Sequence, residues 1–400
     1  MSYKSSYHSS RPNGNNRRSS YNAAPRSNRR GPKKENIDPS RFIKVAQPQI
    51  SNAYTPLHRF DDFDISTLIK RNLGAKGFVI PSAIQDKTIP LALQGRDVIG
   101  IADTGSGKTA AYVVPMVHLA ITRRAKALVI APTRELAQQI EFEVRWIAKD
   151  SRLRTATLIG GANISPQLRN LRDRPEIVVG TPGRIKDHLS RRSLRLEDFQ
   201  YVVLDEVDRM LDMGFVNDVR QILDQLPSKH QSLYFSATLD PKVNALIDKF
   251  SIDPITISVK TGETGENIHQ NVVRVVHDGQ KLDRLHDLLI AGDIHKAIIF
   301  DDTQRSVERL SNELTNRGFK ADAIHGGKNQ GQRQRSLAKF RDNEVTILVA
   351  TDVAARGIDV PDITHVINYS TPNSYSDYIH RIGRAGRAGR VGHALTFVTS

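Results

Sequence analysis

Short apolar runs alternate with longer amphipathic stretches along most of the chain. In the first half these runs occupy residues 97–102, 127–133, 155–161, 176–181, 201–206 and 232–238. A second series occupies residues 271–276, 296–303, 321–327, 346–351, 365–370 and 393–399. Continuous apolar runs separated by helical periods are typical of strands buried on both faces of a parallel sheet. The pattern therefore predicts an α/β protein with two parallel sheets.

The two series are separated by residues 257–270, which contain glycine and charge without periodicity. We therefore predict a first domain at 56–258, a linker at 259–267 and a second domain at 268–400. The chain has 400 residues, which is more than one hydrophobic core usually supports, so two domains are expected.

Four of the predicted strands end in small or hydroxyl residues, at Thr133, Thr181, Thr238 and Thr351. Ligands of open parallel sheets bind beyond the carboxyl ends of the strands. Turn formation alone explains one or two such residues. Four of them favour a ligand-binding edge on each sheet.

The first 34 residues contain nine Lys and Arg and no acid, within a net charge of +15 for the whole chain. They are rich in Ser, Asn, Gly and Pro, and such a composition buries too little apolar area to order itself. We predict a disordered basic tail over residues 1–55. A cationic arm that binds nucleic acid and a tail that only aids solubility are both open interpretations.

Cysteine is absent, which excludes disulfides and thiolate metal sites. No run of 18 apolar residues and no apolar signal core is present. We therefore expect a cytoplasmic protein with no membrane partner.

The stretch ADTGSGKTA at 102–110 follows a predicted strand and precedes a helical stretch. In such a loop the glycines let backbone N–H groups approach phosphates, a lysine reaches the β- and γ-phosphates, and the next hydroxyl binds Mg²⁺. The predicted nucleotide-binding residues are Ala102, Asp103, Thr104, Gly105, Ser106, Gly107, Lys108 and Thr109. The general pattern has Gly where this chain has Ala102.

The stretch YVVLDEVDRM at 201–210 carries three acids directly after a strand that reads as buried. A phosphate-binding loop needs a carboxylate from a second strand for its Mg²⁺, and Asp205 is the candidate. Glu206 is placed to accept a proton from the attacking water. Helix capping explains one of these acids but hardly all three. The chain lacks the base-reading motif of GTPases, so ATP is the expected nucleotide.

With DEVD in place, residues 58–399 resemble the DEAD-box RNA helicases. The resemblance implies two tandem RecA-like P-loop domains and an RNA-stimulated ATPase that uses ATP and Mg²⁺. The stretches that carry it are GFVIPSAIQ (77–85), PTREL (132–136), GG (160–161), TPGR (181–184), SAT (236–238), TDVAARGID (351–359) and YIHRIGRAGR (378–387). About ten short patterns in the family's order make coincidence implausible.

The resemblance assigns roles residue by residue. The implied nucleotide contacts outside the P-loop are Phe60, Phe78, Gln85, Gly357 and Asp359. The implied catalytic residues are Lys108, Asp205, Glu206, Arg384 and Arg387, the last two as arginine fingers. The implied residues that couple hydrolysis to unwinding are Asp208, Ser236, Thr238 and His380. The implied RNA contacts are Pro132, Thr133, Arg134, Gly161, Thr181, Pro182, Gly183, Arg184, Gln330, Arg333 and Thr351.

Two residues depart from the family pattern. Val207 stands where the family name has Ala, and its side chain has no role in phosphate chemistry. Asp103 stands where Gln or another longer polar residue is frequent, and an acid beside phosphates weakens nucleotide affinity slightly.

The function implied is local, non-processive unwinding of RNA duplexes and remodelling of RNA–protein complexes, by a monomer that binds the RNA backbone. Closure of the two domains would gate hydrolysis, because the arginine fingers and Lys108 lie in different domains. A DNA translocase of the same superfamily is the nearest alternative. A non-catalytic, ATP-dependent RNA clamp is a second, and an intact Glu206 argues against it. Ribonucleoprotein partners are possible.

Overall fold

The computed structural model describes residues 1–2, 35, 37–46, 54–102, 105–259, 267–292, 294–355, 358, 360, 362–386 and 390–399. The predicted basic arm at 3–34 therefore lies outside the described residues. None of the helices in the described ranges is long and apolar enough to cross a membrane.

The first sheet has seven strands, and every pairing in it is parallel. Its strands are β1 (Val98–Ile101), β2 (Lys126–Ile130), β3 (Thr155–Leu158), β4 (Ile177–Gly180), β5 (Phe199–Asp205), β6 (Gln231–Ser236) and β7 (Ile255–Ser258). The order across the sheet is β3-β4-β2-β5-β6-β1-β7. The accompanying helices are α1 (Thr67–Ala75), α2 (Ala83–Leu93), α3 (Lys108–Arg123), α4 (Arg134–Ile147), α5 (Ile164–Arg172), α6 (Pro182–Ser190), α7 (Val207–Asp212), α8 (Val216–Leu223) and α9 (Pro241–Phe250).

The second sheet has six strands, again all parallel, in the order β10-β11-β9-β12-β13-β8. Its strands are β8 (Ile268–Val275), β9 (Ala297–Phe300), β10 (Ala321–Ile324), β11 (Ile347–Ala350), β12 (His365–Asn368) and β13 (Gly392–Thr399). Its helices are α10 (Lys281–Ala291), α11 (Gln304–Asn316), α12 (Gln330–Arg341), α13 (Asp352–Ala355) and α14 (Tyr375–Ile382). Single 3₁₀ turns lie at Pro39–Phe42, Phe60–Asp62 and Asp278–Gln280.

Each sheet is buried on both faces, as the continuous apolar runs predicted. Successive residues of β2 show why: Val129 packs into one hydrophobic cluster, while Leu128 and Ile130 pack into the cluster on the opposite face. The second sheet repeats this with Ile298 on one face and Ile299 on the other. Burial of both faces explains why these strands lack an apolar–polar alternation.

All twelve predicted strands are present, and one further strand was missed. The missed strand, β7, pairs in parallel with β1 at the edge of the first sheet. Only Ile257 of its four residues is buried, so its apolar signal is weak. The predicted unpatterned segment at 257–270 therefore began inside β7 and ended inside β8.

The prediction of disorder throughout residues 1–55 is wrong for residues 37–46. Phe42 is fully buried there and Ile37 joins the core of the second sheet. Lys44 forms an antiparallel bridge with Gln270 of β8. The composition of the whole segment is polar, and this average concealed a few apolar residues that find a complementary surface only in the folded protein.

Asp97 ties three segments of the first sheet together. Its carboxylate accepts hydrogen bonds from the backbone of Ser232 at 2.7 Å and of Ile252 at 2.8 Å, and the residue is buried. Replacing it with alanine leaves the buried N–H of Ser232 and the partly buried N–H of Ile252 without this partner. We expect D97A to lower the free energy of unfolding by about 2–4 kcal/mol.

Urea unfolding can be monitored by the fluorescence of Trp146, which is the only tryptophan in the sequence and lies in α4 beside the first sheet. Asp198→Ala is the matched control, because its carboxylate pairs with Lys126 at the surface and contributes less than about 1 kcal/mol. Equal losses in the two variants would contradict the role of Asp97.

Candidate ATP and RNA site

The motifs of the first half meet at the carboxyl edge of the first sheet. The P-loop follows β1, Thr133 follows β2 and Thr181 follows β4. Asp205 ends β5, Glu206 and Asp208 follow it, and Ser236 ends β6. Parallel pairing brings these strand ends to one side, so residues far apart in sequence become neighbours.

The P-loop is fixed by the helix that precedes it. Gln85, in the first turn of α2, donates from Nε2 to the Gly107 carbonyl at 3.0 Å, and Ser82 Oγ donates to the Ser106 carbonyl at 2.7 Å. Gly107 has a φ of 92°, and a side chain there would overlap the Gln85 amide. The close approach of these two segments therefore requires glycine. Reading of adenine by Gln85 stays a prediction.

The two aromatic residues assigned to the base lie in different environments. Phe60 is fully buried and packs edge-on against Phe63 and Phe78, with ring centroids 5.8 Å apart in both pairs. Phe78 is half-buried and also contacts Trp146. Phe60 is thus a packing residue of this segment. Only Phe78 offers a partly accessible ring.

Lys108 and Thr109 begin α3, as the P-loop pattern requires. The Lys108 ammonium donates to the Ala102 carbonyl at 2.7 Å and is buried. Tyr112, one turn further, donates to Asp205 Oδ2 at 2.9 Å and also hydrogen-bonds Thr109. Tyr112 was missed by sequence reasoning. Its spacing of four residues from Lys108, on the same helix face, was the available signal.

Asp205 is buried, and the positive charge of Lys108 does not fully offset the effect of burial on its carboxylate. Burial raises the pKa of Asp205 to about 6, Lys108 opposes the rise and Glu206 adds to it. A buried carboxylate that resists ionisation is stabilised by a nearby cation, so this group fits a Mg²⁺ ligand. In the described ranges no cluster of three or more His, Cys, Asp or Glu could hold a metal by itself. Mg²⁺ commonly completes its coordination with water and phosphate oxygens, which is consistent with that finding.

Glu206 is held ionised by cations from both sheets. Burial opposes its ionisation, but Arg209, Arg384 and Lys108 outweigh burial and lower the pKa of Glu206 to about 2. Arg209 Nη1 donates to Glu206 Oε2 at 2.6 Å. The backbone of Glu206 is left-handed, with a φ of 54°, which is uncommon for a residue with a side chain. Arg209 was missed because a charge one turn after the acids reads as an ordinary helix residue.

The side chain of Asp208 accepts hydrogen bonds from the segment that follows β6. Its Oδ2 accepts from the backbone N–H groups of Ala237 and Thr238 at 3.0 and 2.9 Å and from the Thr238 hydroxyl at 3.1 Å. Ser236 Oγ donates to the Thr238 carbonyl at 2.7 Å. The structure therefore brings together Asp208, Ser236 and Thr238, which were assigned to coupling.

Helix α14 of the second sheet faces Glu206 and Asp208. Arg384, just beyond the helix, is buried and donates from Nη1 to the Ile358 carbonyl at 2.9 Å. His380 lines the same small cavity as Arg209 and Arg384. Burial lowers the pKa of His380 to about 4, and Arg209 and Arg384 contribute to the decrease. His380 is therefore neutral at physiological pH.

Arg381 organises the second-sheet wall of this cavity. Its guanidinium binds both oxygens of Asp352, at 2.6 and 2.7 Å, and donates to the Ser370 carbonyl at 2.8 Å. The residue is 2% exposed. Arg381 was missed by sequence reasoning, because its partners Asp352 and Ser370 are distant in the sequence. The interaction with Asp352 aligns α14 with the strand end after β11, where Thr351 lies.

A second group of predicted residues clusters around β3 and β4. Gly161 has a φ of 71°, and a side chain there would overlap the Arg134 guanidinium. Arg184 donates from both Nη atoms to the Ala162 carbonyl at 3.3 Å. The two arginines assigned to RNA therefore flank the same turn. The other residues of this edge are the buried Pro132, Thr133, Thr181 and Pro182 and the exposed Gly183.

Gln330 and Arg333 were assigned to RNA, but the structure places them between the two sheets. Arg333 Nη2 lies 2.8 Å from Glu135 Oε2 of α4, with both side chains buried. Gln330 Nε2 donates to Gln138 Oε1 at 2.9 Å. These contacts assign both residues to an interaction that holds the two halves together. A direct contact with RNA stays a prediction for them.

Five predicted site residues lie outside the described part of the chain: Asp103, Thr104, Gly357, Asp359 and Arg387. Their assigned roles stay predictions.

Two family models match the chain. The DEAD/DEAH box helicase model matches residues 82–246, and the helicase conserved C-terminal domain model matches residues 280–389. The chain belongs to the DEAD-box family of ATP-dependent RNA helicases. The resemblance inferred from the sequence is therefore confirmed, and the two-sheet fold agrees with it.

The DEAD-box relatives are similar across most of this chain. The ATP-dependent RNA helicase CshA of Listeria monocytogenes is 44% identical over 342 residues, which is 85% of this chain and 66% of that protein. The DEAD-box ATP-dependent RNA helicase CshA of Bacillus subtilis is 43% identical over 343 residues, which is 85% of this chain and 69% of that protein. This chain therefore spans about two thirds of the length of these relatives.

Solved structures of DEAD-box proteins share the arrangement of both sheets. Dbp5 of S. cerevisiae bound to RNA and ADP BeF3 matches with a TM-score of 0.77 and 31% identity, over 85% of this chain and 89% of that one. The helicase Mss116 bound to ssRNA and UDP-BeF matches with a TM-score of 0.77 and 30% identity, over 85% of this chain and 74% of that one.

The ion pair between Arg333 and Glu135 generates a prediction about closure. Arg333→Ala leaves a buried carboxylate without its cation whenever the two sheets meet, and separation of the sheets rehydrates that carboxylate. We expect the closed arrangement to be destabilised by about 2–5 kcal/mol.

Because the chain has no cysteine, single cysteines at the exposed positions Arg172 and Arg284 allow selective dye labelling. Energy transfer between the two dyes, measured with RNA and a non-hydrolysable ATP analogue, should decrease in the variant. Arg335→Ala, an exposed arginine on the same helix α12, is the control and should leave the transfer unchanged. Unaltered transfer in Arg333→Ala would exclude this contact as a determinant of closure.

Proposed function

We propose that this DEAD-box protein couples ATP hydrolysis to local, non-processive separation of RNA duplexes. One observation carries the proposal: Arg209, which is paired with the buried Glu206 at 2.6 Å in the first half of the chain, lines one cavity together with His380 and Arg384 of the second half. The reaction site is therefore complete only when the two sheets meet.

Each residue of the site has a defined part in the hydrolysis step. Lys108 and Arg384 place positive charge beside the ATP phosphates, where negative charge develops in the transition state. Glu206 is ionised at neutral pH and can accept a proton from the attacking water. Thr109 and Asp205 would hold Mg²⁺, which would neutralise phosphate charge. Arg209 keeps Glu206 ionised through their ion pair at 2.6 Å.

Asp208 would transmit a change in the bound nucleotide to the strand ends that are proposed to contact RNA. This residue follows Glu206 by two positions and holds the backbone of Ala237 and Thr238. A change at the acids on phosphate release would therefore be transmitted to the strand end after β6. The same helix α7 carries Arg209, whose surroundings include His380 and Arg384 of the second sheet.

The RNA groove would be read through phosphates and 2′-hydroxyls. Arg134, Arg184 and Thr351 are residue types that contact phosphate and sugar oxygens. The similarity to Dbp5 and Mss116, which were solved with RNA and nucleotide analogues, supports RNA rather than DNA as the ligand. The nearest alternative, a DNA translocase, predicts equal stimulation of ATP turnover by matched DNA.

Glu206→Gln tests the reaction site directly. The amide cannot accept the proton from water, so we expect RNA-stimulated ATP turnover to decrease by about 10²-fold or more. ATP-dependent RNA binding, measured by fluorescence anisotropy, should be retained because the amide preserves shape. Glu197→Gln, an exposed acid on the loop before β5, is the control and should be fully active.

The outcomes separate the candidate functions. Undiminished turnover in Glu206→Gln would reject Glu206 as the base. A wild-type protein that binds RNA with ATP yet hydrolyses none would be a clamp. Equal turnover with RNA, with matched DNA and without nucleic acid would reject RNA-gated closure altogether.

Local unwinding makes a prediction about duplex length. If one closure separates only the few base pairs that contact the groove, the rate of strand release should decrease steeply as the duplex lengthens from about 10 to 30 base pairs. Each added base-pair step contributes about 1.4 kcal/mol to the duplex that remains. Gel-based strand displacement on blunt and tailed duplexes measures this rate. Length-independent release over hundreds of base pairs would contradict a non-processive mechanism.

A further inference from the structure

Residues 35 and 37–46, which we call the strap, pack on the second sheet although they lie outside both family-model matches. The strap precedes the first domain in sequence, yet its contacts are with the last third of the chain. The strap packs mainly on α14, the helix that carries His380 and Arg381 and precedes Arg384 in the sequence.

The middle of the strap contacts one face of α14. Phe42 is fully buried, and its ring centroid lies 4.6 Å from that of Tyr378. The Arg41 guanidinium lies 3.8 Å from the centroid of the Tyr375 ring, a favourable cation–π arrangement. Ile37 joins the same hydrophobic cluster.

The beginning of the strap contacts the N-terminal turn of α14. The Glu35 carboxylate accepts a hydrogen bond from the Tyr375 N–H at 3.1 Å, and the Glu35 N–H donates to the Asn373 carbonyl at 2.9 Å. A carboxylate at the N-terminus of a helix also interacts favourably with the helix dipole.

The end of the strap is anchored to the edge of the sheet. Lys44 and Gln270 exchange backbone hydrogen bonds at 3.0 and 2.8 Å. The Gln270 side chain in turn accepts from the Tyr378 hydroxyl at 2.9 Å. Ala46 N–H donates to His269 Nδ1 at 3.2 Å. The strap therefore connects α14 to the edge strand β8 as well as covering it.

Helix α14 has two distinct faces. Tyr375, Tyr378, Ile379 and Ile382 recur at helical spacing and pack into the cluster that contains Phe42. The opposite face, with Asp377, His380 and Arg381, lines the cavity shared with Arg209, and Arg384 just beyond the helix lines it too. The strap thus holds the helix from behind, and the arginine that completes the ATP site projects from its other side.

We propose that Phe42, with Arg41 and Glu35, is a positioning element for Arg384 and thereby sets the rate of ATP turnover. Arg384 lies two residues after the end of an eight-residue helix, so a small rotation of that helix displaces its guanidinium. Misplacement of a transition-state group by about 1 Å costs as much as 10²-fold in rate. The inference rests on the role proposed above for Arg384.

The experiment compares Phe42→Ala, Arg384→Ala and the double variant at saturating RNA. We expect Phe42→Ala to lower kcat about 10-fold while KM for ATP changes less than twofold, because the nucleotide-binding loop belongs to the other sheet. In the Arg384→Ala background the Phe42 substitution should cause no further decrease in kcat. Phe42→Leu, which keeps an apolar side chain, should recover most of the activity.

Val45→Ala is the matched control. Val45 lies in the strap with 70% of its surface exposed, and we expect wild-type kcat from this variant. Deletion of residues 1–34, which removes the basic arm and leaves the strap, should preserve kcat at saturating RNA. Deletion of residues 1–46 should reproduce the loss seen in Phe42→Ala.

The outcomes distinguish this inference from the proposed function. Full turnover in Arg384→Ala would reject the proposed site, whereas a loss in Arg384→Ala with none in Phe42→Ala would reject the strap alone. An equal further loss in the double variant would indicate a purely structural role and overturn the inference. If Phe42→Ala does not fold, Arg41→Ala at the surface should still lower kcat about threefold, and wild-type kcat in that variant would reject the strap.

Discussion

The functional site depends on one electrostatic constraint, which is the ionised state of a buried glutamate. Burial opposes the charge on Glu206, and Arg209, Lys108 and Arg384 together overcome that opposition. Two of these cations come from the first sheet and one from the second. A separated pair of sheets therefore lacks one of the three charges, and this links the chemistry of the site to the arrangement of the domains.

A second contact between the sheets also consists of charged groups that are buried away from water. Arg333 and Glu135 are buried against each other, and such a pair is favourable only while both members are present and aligned. Arg381 and Asp352 play the corresponding part within the second sheet, where they fix the helix that precedes Arg384. Nucleic acid that spans both sheets, as proposed above, would add to these contacts.

The strap adds further contacts to α14 and to the edge strand β8. It supports the back of α14, and its anchors are an aromatic contact, a helix-terminal carboxylate and a sheet-edge bridge. None of these contacts involves a residue that the proposed function places on nucleotide or RNA. The positioning role proposed for the strap would let a segment outside both family-model matches influence the reaction.

The sequence by itself determined the fold class and the family, and it predicted many of the residues that meet at the strand ends, because those depend on local features. Strands buried on both faces produce continuous apolar runs, and phosphate chemistry requires particular residues such as Lys108, Asp205 and Glu206 at short spacings. Tertiary structure alone decided which residues meet across the chain. Tyr112, Arg209 and Arg381 carry no local signal of their partners, and the pairing of Arg333 with Glu135 joins residues of different sheets. Phe42 shows the physical reason most clearly: one aromatic residue in a polar segment is ordered only by a surface that distant residues create, and no pattern in its own neighbourhood records that surface.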